Sequence, residues 1–454
     1  MAKSVQFQLL LSFELVTIIL IGIIILRPFN AALAQPTVIK DPNLKVELFV
    51  QGLRSPTSMA FLGPNDILVL EKDDGTIQKI INGTISQQSL LQVPVATKNE
   101  RGMLGIAIAK HKNGPTYVFL YFTESGGGKI GDDVTNGVQP AANVLYRYEL
   151  LNGQLVNPKL LLSLPAAPSS NHNGGKVLVG PDNNVYVVIG DLKSHRTQAQ
   201  NVVDGPQVDG TGGILVVGQD GRPVTNSPLE LPGLTVGNGS SNSTSNEAAE
   251  NSIMIKYYYA YGIRNSFGMD FDPVTKKLWD TENGPNYGDE INLVEPGFNS
   301  GWAQVQGFWT PEGKIGNENA ASINLNPSSS SNLMDFGGRG KYRAPEFIWF
   351  QPVAPTALKF FDSAKLGKQY QNDMFVGDIR NGNLYDFKLN QNRTGLLLND
   401  TLANKIANTL QDSQPVLFAS GFDDGITDLQ VGPNDGYLYV LTLAGSIYRI
   451  VPSS

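Results

Sequence analysis

The chain has 454 residues, a formal net charge of −7, no cysteine and three histidines. The lack of cysteine excludes disulfides, thiol catalysis, cysteine-based zinc sites and iron–sulfur clusters, and an acidic chain with no basic stripe excludes a nucleic-acid partner. Hydrophobic residues at 41% suffice for a large core, while 48 glycines and 27 prolines mark a turn-dense chain without long helices.

Lys3 precedes an apolar stretch over residues 9–26, broken by Glu14, and Ala32-Leu33-Ala34 follows. That order of charge, apolar run and small residues reads as a secretory signal over residues 1–34. The run is also nearly long enough to cross a bilayer, so an uncleaved N-terminal anchor is the alternative. Both readings export residues 35–454, either secreted or held at the outer face of the membrane through this segment only. Sequons at Asn82, Asn238, Asn242, Asn392 and Asn399 are compatible with that location.

From residue 40 onward one unit recurs: an apolar strand, a Gly/Pro/Asn/Asp turn, and a second alternating strand. The first copy runs from Pro56 through the turn Gly63-Pro64-Asn65-Asp66 to Leu70. Further copies begin at Gly102, Gly175, Asn265, Thr356 and Ile426, and the turn returns as Gly180-Pro181-Asp182-Asn183 and Gly432-Pro433-Asn434-Asp435. Proline presets the turn and Asn, Asp and Gly tolerate its left-handed positions. One strand pair cannot bury its own face, but a ring of such sheets can. The pattern predicts an all-β fold, a six-bladed β-propeller with long insertions, over residues 35–454. The terminal strand around Ser446 to Val451 is expected to close the ring. Residues 232–252 and 324–332, rich in Gly, Ser and Asn, read as solvated surface loops.

Three segments carry polar chemistry at strand edges. Ser170-Asn171-His172-Asn173-Gly174-Gly175 places a histidine beside glycines, as a general base near neutral pH would require. Tyr261-Gly262-Ile263-Arg264-Asn265 sets one arginine among small and apolar residues, where its fork of donors could stabilise a developing oxyanion. Residues 281–292 gather carboxylates, amides and turn residues, a composition able to ligate calcium through carboxylates and main-chain carbonyls. Alone, each has a plainer reading: a loop histidine bonded to backbone, an arginine tethering loop carbonyls, a solvated acidic turn. A propeller would bring all three to one mouth of its channel.

These motifs, with Gly102-Met103-Leu104-Gly105, Ile189-Gly190-Asp191, Glu282-Asn283-Gly284-Pro285, Asp289-Glu290-Ile291-Asn292, Asn299-Ser300-Gly301-Trp302, Pro352-Val353-Ala354-Pro355 and Arg380-Asn381-Gly382, resemble the glucose/sorbosone dehydrogenase-like family of soluble, pyrroloquinoline-quinone (PQQ)-dependent sugar dehydrogenases. The resemblance runs from about residue 45 to 451. It implies an enzyme that oxidises the anomeric carbon of an aldose to a lactone, with PQQ and Ca2+ as cofactors and an external electron acceptor. His172 then matches the general base and Arg264 the arginine beside the reacting quinone carbonyl. Glu100, His172, Arg264, Asn265, Asn283 and Arg380 match cofactor contacts, and the main-chain oxygens of Gly284 and Pro285 match the calcium ligands. Such a division leaves electron transfer to the cofactor and base, metal and field to the protein.

The chain departs from that pattern in two places. Asn171 stands where the glucose enzymes have an aspartate, which bears on the orientation of His172. Around Thr427, where those enzymes present further arginines to the cofactor, this chain has none. Two rival functions are a non-catalytic propeller binding carbohydrate or protein at its mouth, and a calcium-dependent propeller lactonase. The lactonase requires several carboxylates around one calcium, and the sequence sets only Asp289 and Glu290 close together.

Overall fold

The computed structural model describes residues 37–230, 253–307 and 333–453. The N-terminal segment with its small-residue motif, Asn238, Asn242 and both low-complexity stretches lie outside the described residues.

Runs such as Val185–Ile189 and Leu438–Thr442 are β-branched or aromatic at nearly every position, and every residue in both is buried. Continuous burial of this kind arises when a strand has neighbours on both faces. Among the described residues the strands form six sheets of four to six strands. Within a sheet, successive strands pair antiparallel, as Met103–Lys110, Thr116–Glu124, Ala142–Leu151 and Gln154–Leu164 do in turn. The predicted units map onto this arrangement. Their starts fall at the innermost strands Pro56–Gly63, Met103–Lys110, Val177–Val179, Ser266–Phe271, Pro355–Phe360 and Ile426–Val431.

Each of these six strands contacts the next, and the sixth returns to the first. The fold is therefore an all-β propeller. Its strand Ser446–Pro452 pairs antiparallel with Leu44–Gln51, so an early and a late strand share one sheet and the edge of Ser446–Pro452 is covered. Among the described residues no helix is long and apolar enough to cross a membrane.

Aromatic and aliphatic side chains fill the spaces between sheets. One cluster holds Trp279, Phe347, Trp349, Phe360, Tyr385 and Phe387, with the Phe347 and Trp349 rings edge-to-face at 4.8 Å. Burying each such ring contributes about 2–3 kcal/mol. Toward the axis the strands converge, and glycine becomes necessary. A β-carbon at Gly105 would stand 1.8 Å from the carbonyl oxygen of Gly175 on the neighbouring inner segment.

The axis itself carries paired charge. Lys176, just before Val177–Val179, reaches Asp428 on the opposite side of the ring at 2.5 Å, with both side chains buried. The other Asp428 oxygen accepts from Ser58 Oγ at 3.0 Å and from the Met59 amide at 2.9 Å. Lys359 pairs with Asp270 of the adjacent inner strand at 3.0 Å.

Candidate active site

The loop before Val177–Val179 turns back through His172, whose φ is 64° and whose side chain is buried. Its Nδ1 lies 2.5 Å from Asp191 Oδ1. In the neutral imidazole, Nδ1–H then donates to Asp191 and Nε2 keeps its lone pair. This is the tautomer a general base needs.

Asp191 follows the wholly buried strand Val185–Ile189. Burial pushes its carboxyl up, but the His172 contact, Trp302 and the Ser194 amide outweigh it and hold the group below the usual carboxylate range. Trp302 Nε1 donates at 2.8 Å, and the amides of Lys193 and Ser194 donate at 2.8 and 3.3 Å. To aim those amides, Leu192, Lys193 and Ser194 take φ values of 45°, 51° and 87°. Three successive left-handed residues that are not glycine cost roughly 1–2 kcal/mol apiece, so the loop is held there by its contacts.

Glu100 joins the two halves of the site. Its Oε2 accepts from the His172 amide at 2.6 Å and from Asn265 Nδ2 at 3.0 Å. Arg264 lies alongside. Its carbonyl accepts from the Asp191 amide at 2.9 Å, its amide donates to Glu282 Oε1 at 2.7 Å, and its Nη1 donates to the Asn283 carbonyl at 2.7 Å. The guanidinium carbon stands 5.5 Å from the Trp302 ring centroid. The same tryptophan thus touches both the partner of the base and the arginine.

Buried Arg264 Nε, Asn265 Oδ1 and Asn283 Oδ1 have no hydrogen-bond partner. These three share one rim, where a polar ligand can meet them. Asn265 and Asn283 are themselves coupled, the Asn283 amide donating to the Asn265 carbonyl at 2.8 Å.

The Gly284-Pro285 turn is fixed by Asp289. Asp289 Oδ1 accepts from the Gly284 amide at 2.8 Å, and Oδ2 accepts from the Val353 and Ala354 amides at 2.7 Å each. A β-carbon at Gly284 would lie 2.0 Å from the Tyr287 carbonyl oxygen, so the turn admits only glycine. The carbonyls of Gly284 and Pro285 accept no hydrogen bond from the described residues, the condition of main-chain oxygens able to take a hard cation. Arg380 is exposed on the same rim, its amide donating to the Val353 carbonyl at 3.3 Å and its charge acting on Asp289.

The structure corrects two expectations. The carboxylates of residues 281–292 are not turned toward a ligand. Asp289 caps three amides, while Glu290 Oε1 accepts from the Gly307 amide at 2.5 Å and Gln306 Nε2 at 2.9 Å. At this turn the oxygens left without a donor among the described residues are the main-chain carbonyls. Burial also pushes Glu282 up to about 7, despite the Ser300 hydroxyl at 2.6 Å and the Arg264 amide. Second, the identity of residue 171 does not set the orientation of His172. Asn171 Oδ1 accepts from Asn99 Nδ2 at 2.9 Å, and Asp191 does the orienting.

Asp191 and Trp302 are the functional residues that sequence reasoning left without a role, although both stand inside quoted motifs. A carboxylate directly after a fully buried strand was the available signal for Asp191.

A histidine–aspartate pair, an arginine, unpaired polar atoms and a carbonyl shelf on one rim define a propeller with an enzyme-like polar site. The family model for glucose/sorbosone dehydrogenase matches residues 53–449, and the chain belongs to that family. Among curated relatives it is similar to quinoprotein glucose dehydrogenase B of Acinetobacter calcoaceticus, 24% identical over 98% of this chain and 94% of that one. It is also similar to the aldose sugar dehydrogenase YliI of Escherichia coli, 24% identical over 90% of this chain and 93% of that one. Among solved structures, the PQQ-bound aldose sugar dehydrogenase of Streptomyces coelicolor shares the fold at a TM-score of 0.60, with 20% identity over 90% of this chain and 98% of that one.

Proposed function

We propose that this chain is an exported PQQ- and calcium-dependent aldose sugar dehydrogenase, its six sheets acting as six blades, which oxidises the anomeric carbon of an aldose to a lactone. The observation that carries this reading is the His172–Asp191 pair beside Arg264, next to unpaired buried polar atoms and free main-chain carbonyls.

When bound, the quinone supplies a two-electron acceptor and the calcium a Lewis acid. The Gly284 and Pro285 carbonyls would hold the cation. Arg264 Nε, Asn265 and Asn283 would meet the cofactor's polar edge, and Arg380 a carboxylate. His172 Nε2 accepts the proton of the anomeric hydroxyl. Asp191 stabilises the imidazolium that forms and keeps the ring from turning. Glu100 fixes the His172 backbone and Asn265 together, so base and arginine keep their spacing. The Trp302 ring lies beside the Arg264 guanidinium.

The test is turnover of aldoses with an artificial electron acceptor, omitting PQQ and calcium in turn. Lactone formation that needs both supports the reading; lactone formation without either, or none with both, overturns it. Fractionation of cells making the full chain, with N-terminal sequencing, tests export. Cleavage after Ala34 or retention in the membrane supports it, and a cytosolic chain with an intact N-terminus contradicts it.

A further inference from the structure

The loop that cradles Asp191 does not end at the strained residues. The next residue, His195, donates its amide to the Asp191 carbonyl at 2.9 Å, and its Nε2 lies 2.5 Å from Asp209 Oδ2. Asp209 is anchored in turn, since its Oδ1 accepts from the Thr211 amide at 3.1 Å and the Thr211 hydroxyl at 2.7 Å. Gln200 Nε2 donates to that hydroxyl at 3.2 Å, and the Gly212 amide donates to the Gly190 carbonyl at 2.9 Å. Both ends of the left-handed loop are therefore tied to the sheet, one through Asp191 and the other through His195.

We propose that His195 and Asp209 form a latch that positions Asp191, and through it His172, making His195 a positioning residue for the base. A run of left-handed residues relaxes when one end is released, and relaxation would withdraw the Lys193 and Ser194 amides from the Asp191 carboxylate. Asp191 would then lose the donors that set its angle, and His172 the partner that sets its tautomer. Nothing in the mechanism uses His195 directly, since it touches neither His172 nor Arg264.

The charge on the latch is also sensitive to pH. Asp209 first, and Asp191 at longer range, favour the imidazolium of His195 over the opposing effect of partial burial and raise its pKa. These two carboxylates are the titratable groups acting on it, Asp191 from its own loop and Asp209 from the turn packed against it. A raised folded pKa means that the ion pair persists to higher pH than an ordinary imidazole would allow and is lost as pH climbs through the raised value.

This inference rests on the proposed role of His172, so its test includes a readout that needs no turnover. With three histidines in the chain, imidazole resonances in 15N-histidine-labelled protein are assignable by single substitutions. The Nδ1 proton of His172, bridged to Asp191, is expected far downfield and sharp in the parent protein. In His195→Ala it is expected to broaden or vanish, with kcat of the reconstituted enzyme falling about tenfold and KM for sugar unchanged. His195→Gln keeps a donor toward Asp209 without a titrating charge. It is expected to restore the resonance and most of kcat. An unchanged His172 resonance in His195→Ala would overturn the latch even if no sugar is ever turned over. A lost resonance that His195→Gln fails to restore would likewise overturn it.

Discussion

Charged groups gather at two places near the propeller axis, and the two are wired differently. At the axis, Lys176 and Asp428 satisfy each other across the ring, and the remaining Asp428 oxygen is taken by Ser58 and Met59. At the mouth, Arg264 Nε, Asn265 Oδ1 and Asn283 Oδ1 are buried without partners, and the Gly284 and Pro285 carbonyls point at no donor among the described residues. The paired set ties inner strands together across the ring. At the mouth, the incomplete set is one that a polar ligand can complete.

The sharpest way to break this contrast is to cut the axial pair. Asp428→Asn leaves Lys176 buried without its counter-charge, and should lower unfolding stability by about 3–5 kcal/mol in a denaturant titration. Folded protein is expected to keep the unpaired atoms of the mouth and to bind cofactor. His172→Gln should do the reverse, lowering kcat by about a thousandfold, the middle of the range for losing a general base, while leaving the denaturation midpoint nearly unchanged.

Glu282 lies between the two regimes, bonded to Ser300 and the Arg264 amide yet pushed up from 4.5 to about 7 by burial. Its folded value stands above its unfolded value, so the folded chain keeps a proton that the unfolded chain releases. Stability contributed by that proton is complete below the unfolded value and is lost as pH rises to about 7. Denaturation midpoints at about pH 5 and about pH 8 should therefore differ by about 2 kcal/mol in stability, and Glu282→Gln should flatten part of that slope. The smallest expected effect is a gain. Thr427→Arg, at a half-buried position of Ile426–Val431, supplies one charge-assisted partner for a carboxylate of the proposed cofactor and should tighten PQQ about tenfold by equilibrium titration.

The ring was legible because its signals are local. Turn residues such as Gly63-Pro64-Asn65-Asp66 and the β-branched strands beside them specify one unit within a dozen residues, and each unit start falls at an inner strand. The family motifs also placed His172, Arg264 and the Gly284-Pro285 turn, which the structure brings to one rim. What the sequence hid was pairing across distance. Asp191 lies 19 residues from His172, Trp302 lies 111 from Asp191, and Asp428 lies 252 from Lys176. No periodicity reports which loops meet over a channel. The carboxylates of residues 281–292 misled for a related reason: composition shows that oxygen ligands are present, but only geometry shows that amides have already taken them.

In the proposed function, the unpaired groups of the mouth receive a quinone. Purified protein titrated with PQQ in the presence of calcium, followed by the absorbance of bound quinone, tests it most directly. Saturable uptake of one quinone per chain that weakens in Arg264→Ala and disappears on calcium removal is the expected result. No quinone bound at micromolar cofactor, with the protein folded and calcium present, would contradict it.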